Sequence, residues 1–338
     1  MAATMRDVAA HAGVSLVTVS RVVNGHELVR PATRARVQQA IAALQYVPDQ
    51  LAGSLRSRQT NTLGLLLPTI ANAFWTAIAR GVEDEGEAQG YSVFICNTDD
   101  DAGKEARYLD TLLGQRVGGI VVVPTAASAT ELRRVQERQM PIVQVHRKLN
   151  ELAADSVRAD SRKGTAELTV ELLTRGYRRI AFLGSETTIS PARDCLGGYT
   201  EALALAGLTL DPTLIKLGRT QPETGYALMR ELLHRARPEA ICIGNSRLAL
   251  GALHALQEAG LRVPADIQVA TFYDIAALDA YTPALITATQ PAYQIGRMGA
   301  RRLFARIGGL TAPPVDILLP NTVTVRPVAA VANLPTAD

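Results

Sequence analysis

Apolar positions in the first 46 residues recur at spacings of three and four, whereas beyond Thr62 they gather into short runs separated by amphipathic stretches. Met5, Val8, Ala9 and Ala12 give a first helix one apolar stripe. Gly13 supplies the permissive backbone of a tight turn, Val14 plugs the junction, and Ser15 caps a second helix. In that helix Val19, Val22 and Val23 point inward, which leaves Leu16, Val17, Thr18, Ser20 and Arg21 on the outer side. An outer face of hydroxyls and an arginine, with a helix N-terminus open to phosphate, is the layout of a helix-turn-helix that reads DNA. An ordinary amphipathic helix pair is the plainer alternative. Pro31 opens a third helix with Val37, Ala40, Ile41 and Leu44 at helical spacing, and Tyr46, Val47 and Pro48 end it. Residues 49–58 carry Leu51 and Leu55 without enough apolar surface for a core, so they are expected to order only against a partner.

Beyond Thr62 the runs at 63–67, 92–96, 119–123, 142–145, 180–183, 240–243 and 267–271 read as strands. Helical patterns such as 74–89, 105–113, 164–175 and 248–259 lie between them. Strand-helix units of about 30 residues make parallel sheets covered on both faces, and there are enough for two.

Charge sharpens the reading of the first unit. Residues 1–60 hold seven arginines and no lysine against three acids, while the remainder holds 28 basic and 29 acidic residues. The formal net charge of +3 therefore resides entirely in the N-terminal segment, where it suits phosphate better than a membrane. At 338 residues and 47% hydrophobic content the chain exceeds one ordinary domain. No apolar run reaches the roughly 18 residues of a membrane span, and no signal peptide is recognisable, so a cytoplasmic protein is expected. Cys96, Cys195 and Cys242 stand apart with no CxxC pair and read as buried reduced thiols.

Asp7, Val8 and Ala9, then Ala12 to Ser15, Thr18 to Val22, Asn24, Thr33 and Arg34, Tyr46 to Pro48 and Leu55 together resemble the headpiece of the lactose-repressor (LacI/GalR) family. The similarity runs through residues 4–326. It implies a small all-α helix-turn-helix headpiece (1–47), a hinge helix or linker (48–60) and an effector-binding and dimerisation core (61–326), with a tail at 327–338. The core is implied to be an α/β type I periplasmic-binding-protein-like pair of Rossmann-like subdomains. The first would take about 61–160 and 291–320, the second about 161–289 and 321–326, with crossovers near Asp160, Ala288 and Asn321. By position, the resemblance has Leu16, Val17 and Arg21 facing base edges in the major groove. It has Thr4, Ser15, Thr18, Ser20 and Asn24 at the DNA backbone, Leu55 as a minor-groove wedge and Arg56 beside it. The chemistry agrees: arginine suits guanine, apolar atoms suit thymine methyls, hydroxyls suit phosphates, and a leucine opens a flexible step. Leu16 and Val17 offer no hydrogen bonds where relatives often carry polar side chains.

Ligands of such sheets bind beyond the carboxyl ends of the strands, in the cleft between subdomains. That nominates Asn72, Phe74 and Trp75 after the first strand, Thr125 after the third, and His146 and Arg147 after the fourth. In the second half it nominates residues 185–193 with Arg193, Asn245 to Arg247, Tyr273 and Asp274, and Gln290 at a crossover. Trp75 offers a sugar an aromatic face, and Asn245, Asp274 and Gln290 offer paired donors and acceptors. Core packing for Phe74 and Trp75, helix capping for Asn245 and a backbone bond for His146 are the plainer alternatives. Family carboxylates are replaced at His146, Ser246 and Tyr273, and Cys195 stands where an arginine is usual. With Arg147, Arg193, Arg247 and His146 remaining, the cleft is expected to be less acidic, which favours a sugar acid such as gluconate or ketogluconate. A neutral sugar, a purine or a phosphorylated sugar is the alternative.

No GxxxxGK[ST], HExxH or GxSxG pattern is present, and the five histidines are dispersed, so no enzyme, metal or cofactor is expected. Gly197 with Gly198 and Gly308 with Gly309 follow no phosphate-loop pattern and read as packing and turn positions. The resulting expectation is a bacterial transcriptional repressor, a homodimer bound to a near-palindromic operator and through it to the nucleoid, controlled by a small effector. A sugar-binding protein without regulatory role is the competing class. The residues after 326 carry no leucine heptads, which favours a dimer over a tetramer.

Overall fold

The computed structural model describes residues 3–23, 28–46, 60–272 and 285–325. Asn24, Leu55, Arg56, Tyr273, Asp274, the segment 48–59 and the tail lie outside the described residues. Two compact units divide between Thr60 and Asn61.

Among its described residues the first unit packs three helices, α1 (Met5–Ala12), α2 (Leu16–Val23) and α3 (Pro31–Ala43). Their shared core is Val8, Ala9, Ala12, Val19, Val22, Val37 and Ala40, completed by Val29 and Tyr46, with Met5, Val14, Ile41 and Leu44 packed at its edge. Gly13 stands at φ 62° as the left-handed cap of α1, the conformation that turns the chain into α2.

The second unit holds two six-stranded sheets. One contains β1 (Thr62–Leu67), β2 (Ser92–Asn97), β3 (Gly119–Val122), β4 (Ile142–Val145), β5 (Asp155–Ala159) and β11 (Asp316–Leu319), in the order β11-β5-β4-β3-β1-β2. The other contains β6 (Ile180–Ser185), β7 (Ile215–Gly218), β8 (Ala240–Ile243), β9 (Gln268–Phe272), β10 (Leu285–Thr289) and β12 (Thr322–Val325), in the order β12-β10-β9-β8-β6-β7. Among the described residues every pairing is parallel except β10 with β12. β11 runs toward the cleft and β12 leaves it after two residues, too short a link for the helical crossover that a parallel strand needs. β12 therefore enters the second sheet reversed. The chain crosses between the subdomains three times, after β5, after β10 and after β11, and Asn321 Nδ2 donates to Asp160 O at 2.8 Å to tie two crossovers together.

The first sheet is covered by α4 (Ala73–Ala88), α5 (Ala102–Gly114), α6 (Ala129–Glu137) and α11 (Ala292–Ile307). The second is covered by α7 (Ser161–Thr174), α8 (Ser190–Leu205), α9 (Pro222–Arg235) and α10 (Ser246–Glu258). β3, β4 and β8 are buried at every position, as central parallel strands require, and each fully buried Leu or Ile side chain contributes about 2 kcal/mol. Close helix pairing depends on residues without side chains. A Cβ on Gly198 of α8 would lie 2.0 Å from Arg162 O of α7, so this glycine is a packing position, while Gly309 at φ 92° is a turn.

Candidate functional site

In the first unit, Thr4 accepts from Asp7 N at 3.3 Å while Asp7 Oδ2 accepts from Thr4 N at 2.8 Å, a capping box that occupies the Thr4 hydroxyl. Ser15 Oγ accepts from Thr18 N at 3.2 Å and lies 2.9 Å from Thr18 Oγ1. The N-terminus of α2 is thereby capped with its hydroxyls at the surface. Along the same outer face Arg21 is exposed, and Leu16 and Val17 are 44% and 60% exposed, an unusual position for apolar side chains. Ser20 is partly buried on α2.

In the second unit the carboxyl ends of the strands surround a cleft of about 660 Å³. Asn72 begins α4 by accepting from Phe74 N at 2.7 Å, and this turn sets Phe74 and Trp75 into the cleft wall. The two rings meet edge to face at 4.9 Å, and the His146 ring closes the cluster at 5.0 Å from Phe74 and 4.9 Å from Trp75. His146 takes a left-handed backbone, φ 61°, at the end of β4. Burial, seconded by the charges of Arg147 and Arg158, pushes its imidazole down to about 3, so it is neutral at ordinary pH. Its Nδ1 is buried without a partner, as are Arg147 Nε and Gln290 Oε1 in the same cleft. Asn245 caps α10, accepting from Arg247 N at 2.9 Å, and lines the opposite wall. The aromatic wall and the helix cap are thus compatible with the plainer alternatives and with a ligand site at once.

Two expected residues lie off this cleft. Thr125 is buried, its N–H donating at 3.0 Å to the Glu105 carboxylate, which burial itself raises in pKa. Arg193 folds back onto its own loop, donating to the carbonyls of Thr187 and Thr188 at 3.1 and 3.2 Å, and borders a side recess of about 90 Å³. Arg147 is in the cleft but already paired with Asp100. Of the four groups behind the expected cationic cleft, one is neutral, one is tied to carbonyls and one is paired with a carboxylate. Among the described residues, the lining carries Asp99, Asp100 and Glu186 against Arg147, Arg219 and Arg247. The expected loss of acidity is offset by carboxylates from other loops.

Asp99 and Asp100 follow β2, the strand end that the sequence nominations passed over. Arg219 and Thr220 follow β7, whose short, half-buried four-residue run gives no strand signal. Cys96, Cys195 and Cys242 are buried free thiols; burial pushes Cys195 and Cys242 up to about 12 and Cys96 to about 11, which leaves them unreactive. Among the described residues no group of acids, histidines and cysteines is arranged to hold a metal, and no helix is long and apolar enough to cross a membrane.

Residues 4–49 match the model of bacterial regulatory proteins of the lacI family, and residues 60–324 match periplasmic binding proteins and the sugar binding domain of the LacI family. Catabolite control protein A of Staphylococcus xylosus is 32% identical over 326 residues, covering 96% of this chain and 99% of that protein. The ribose operon repressor of Escherichia coli (strain K12) is 36% identical, covering 90% of this chain and 93% of that protein. Among solved structures, the lac repressor dimer bound to operator and an anti-inducer superposes with a TM-score of 0.84 at 26% identity, covering 97% and 99% of the two chains. A complex of the regulator CelR with cellobiose gives 0.72 at 32% identity, covering 96% and 99%.

Proposed function

Because this chain belongs to the LacI family of bacterial regulatory proteins, a family of DNA-binding regulators with a sugar-binding domain, we propose that it is an operator-binding repressor controlled by a small carbohydrate in the cleft. The observation that carries this reading is the set of buried, unpartnered polar atoms at His146, Arg147 and Gln290 in the cleft that Trp75 also lines. Buried polar groups are ordinarily satisfied, and hydroxyls arriving from a ligand satisfy these. Asn72, Phe74, Asn245 and Arg247 complete the lining, and Asp274, outside the described residues, is proposed to join them. The relatives described with ribose and cellobiose support a carbohydrate.

On the DNA side, Arg21 reads a guanine while Leu16 and Val17 meet thymine methyls, with Ser15, Thr18, Ser20, Asn24 and Thr4 at phosphates and Leu55 and Arg56 at the central minor groove. The working form is a homodimer on a near-palindromic site. Edge strand β2 leaves Phe94 and Ile95 49% and 50% exposed, apolar surface that a second copy covers. Effector and operator are coupled, so each alters the other's affinity by the same factor.

A thermal-shift screen of the full-length protein against pentoses, hexoses, disaccharides and sugar acids tests the carbohydrate assignment. A carbohydrate that binds the folded protein raises the melting temperature, increasingly so as its concentration exceeds Kd. A response confined to purines contradicts the assignment.

A further inference from the structure

Leu16 and Val17 open the outer side of α2 with side chains that carry no donor and no acceptor, 44% and 60% exposed, while Val19 and Val22 of the same helix are buried. The hydroxyls beside them are turned to one another. Ser15 Oγ lies 2.9 Å from Thr18 Oγ1 and accepts from Thr18 N at 3.2 Å, which leaves the pair one hydroxyl hydrogen, enough for a phosphate. Arg21 stands four residues beyond Val17, one helical turn along the same face, and is exposed. The face therefore sets two apolar side chains ahead of one guanidinium.

We infer that this face reads the C5-methyl group of pyrimidines, so that 5-methylcytosine replaces thymine under Leu16 or Val17 and cytosine methylation there strengthens operator binding. This rests on the reading of α2 as the major-groove helix. In that groove thymine differs from cytosine in two features: an O4 acceptor where cytosine has an N4 donor, and the methyl on C5. A side chain with a donor or acceptor uses the first. Leu16 and Val17 have neither, so only the second is open to them. 5-Methylcytosine carries the same methyl at the same place. One helical turn is about 5.4 Å and base pairs stack about 3.4 Å apart, so the methyl read by Val17 lies within about two base pairs of the guanine read by Arg21. Covering one methyl is worth about fourfold in affinity.

The test uses the full-length protein and an operator duplex selected by it from random-sequence DNA, with Kd measured by fluorescence anisotropy at fixed salt. Uracil replaces each thymine in turn, removing one methyl and no hydrogen-bonding group, and 5-methylcytosine replaces each cytosine. Within about two base pairs of the guanine whose reading Arg21→Ala relaxes, uracil weakens binding about fourfold. At the same positions a C·G pair binds more weakly than T·A, and methylating its cytosine recovers about fourfold. Leu16→Ala and Val17→Ala, truncations of exposed side chains, each remove the uracil penalty at one position and leave the others. The series of modified bases needs no variant, so it decides the matter even if a truncation folds poorly. Binding indifferent to uracil and to cytosine methylation at every position overturns the inference, while a selected sequence relaxed by Arg21→Ala keeps α2 as the reader. A uracil penalty that survives both truncations overturns it as well. Selection that yields no preferred sequence overturns the reading of α2 together with the inference.

Discussion

Arg158 on β5 of the first sheet donates through Nη1 to Asp194 on α8 of the second subdomain. Its Nε and Nη2 fork at the same time onto Asp316 of its own sheet, at 3.0 and 2.9 Å. A second link crosses beside it, Lys148 N donating to Ser190 Oγ at 2.8 Å. Residues of α8 one turn apart, Ser190 and Asp194, therefore hold the subdomains together, while Ala192 and Cys195 of the same helix line the cleft. With Arg158 and Asp194 side chains 15% and 24% exposed, the pair is partly screened. Asp194→Asn is expected to cost about 1 kcal/mol at low salt and less at high salt. Thermal denaturation across a salt series checks it. Glu201→Gln, which breaks an exposed pair with Arg162 within the second subdomain, serves as the comparison and is expected to be near neutral.

His146 makes stability depend on pH in a defined window. Its folded pKa, about 3, lies below the ordinary 6.5, so between those values the unfolded chain binds a proton that the folded one does not. Stability falls as pH drops through this window, by roughly 1 kcal/mol per pH unit. Asp316 contributes at lower pH. Against burial, which raises it, hydrogen bonds from Arg158 and Ser156 hold it to about 2, so its contribution is lost only as pH falls below its ordinary 3.8. His146→Asn, which suits the left-handed backbone, is expected to flatten the pH dependence between 4.5 and 6.5. Denaturant unfolding at several pH values reads the difference from wild type.

Helices α4 and α11 approach until backbones touch. A Cβ on Gly81 would lie 2.2 Å from Tyr293 O, and one on Gly296 would lie 2.0 Å from Ile78 O. Neither neighbour is a flexible side-chain end, so the helices must separate. Gly296→Ala is expected to destabilise the core by about 3 kcal/mol. Gly114→Ala, with nothing within 4 Å of its Cβ, is expected to be tolerated. Urea denaturation of the two variants makes the comparison.

Arg21→Ala is expected to weaken binding to a selected operator by about 1 to 3 kcal/mol and to relax preference at one base position. Leu16→Ala is expected to act at a different position, through a thymine methyl. Binding measured over a set of single-base operator variants separates the two.

The apolar runs on β1, β3, β4 and β8 made those strands legible, because a parallel strand buried on both faces is nearly continuous in hydrophobic residues. β5 was hidden by its composition: it begins with Asp155, a carboxylate 1% exposed that Arg302 and Arg306 satisfy from α11, more than 140 positions away. The aromatic half of the cleft was legible from Phe74 and Trp75 standing just after a strand. Its charge was not. Asp99, Asp100 and Asp101 look alike in sequence, and only two successive left-handed residues send one to Lys104, one to Arg147 and one to the start of α5. Thr125 follows β3 and Arg193 sits in the first turn of α8, but the one is drawn to the buried Glu105 and the other to loop carbonyls.

The most direct test of effector-controlled operator binding uses the full-length protein and a duplex selected by it from random-sequence DNA. Operator affinity is measured by fluorescence anisotropy at fixed salt, without ligand and with a saturating concentration of the carbohydrate that raises the melting temperature. A change of at least about tenfold in operator Kd is predicted, with the same factor recovered when ligand affinity is measured on free and operator-bound protein. Ligand that occupies the cleft while operator Kd stays the same would contradict the account.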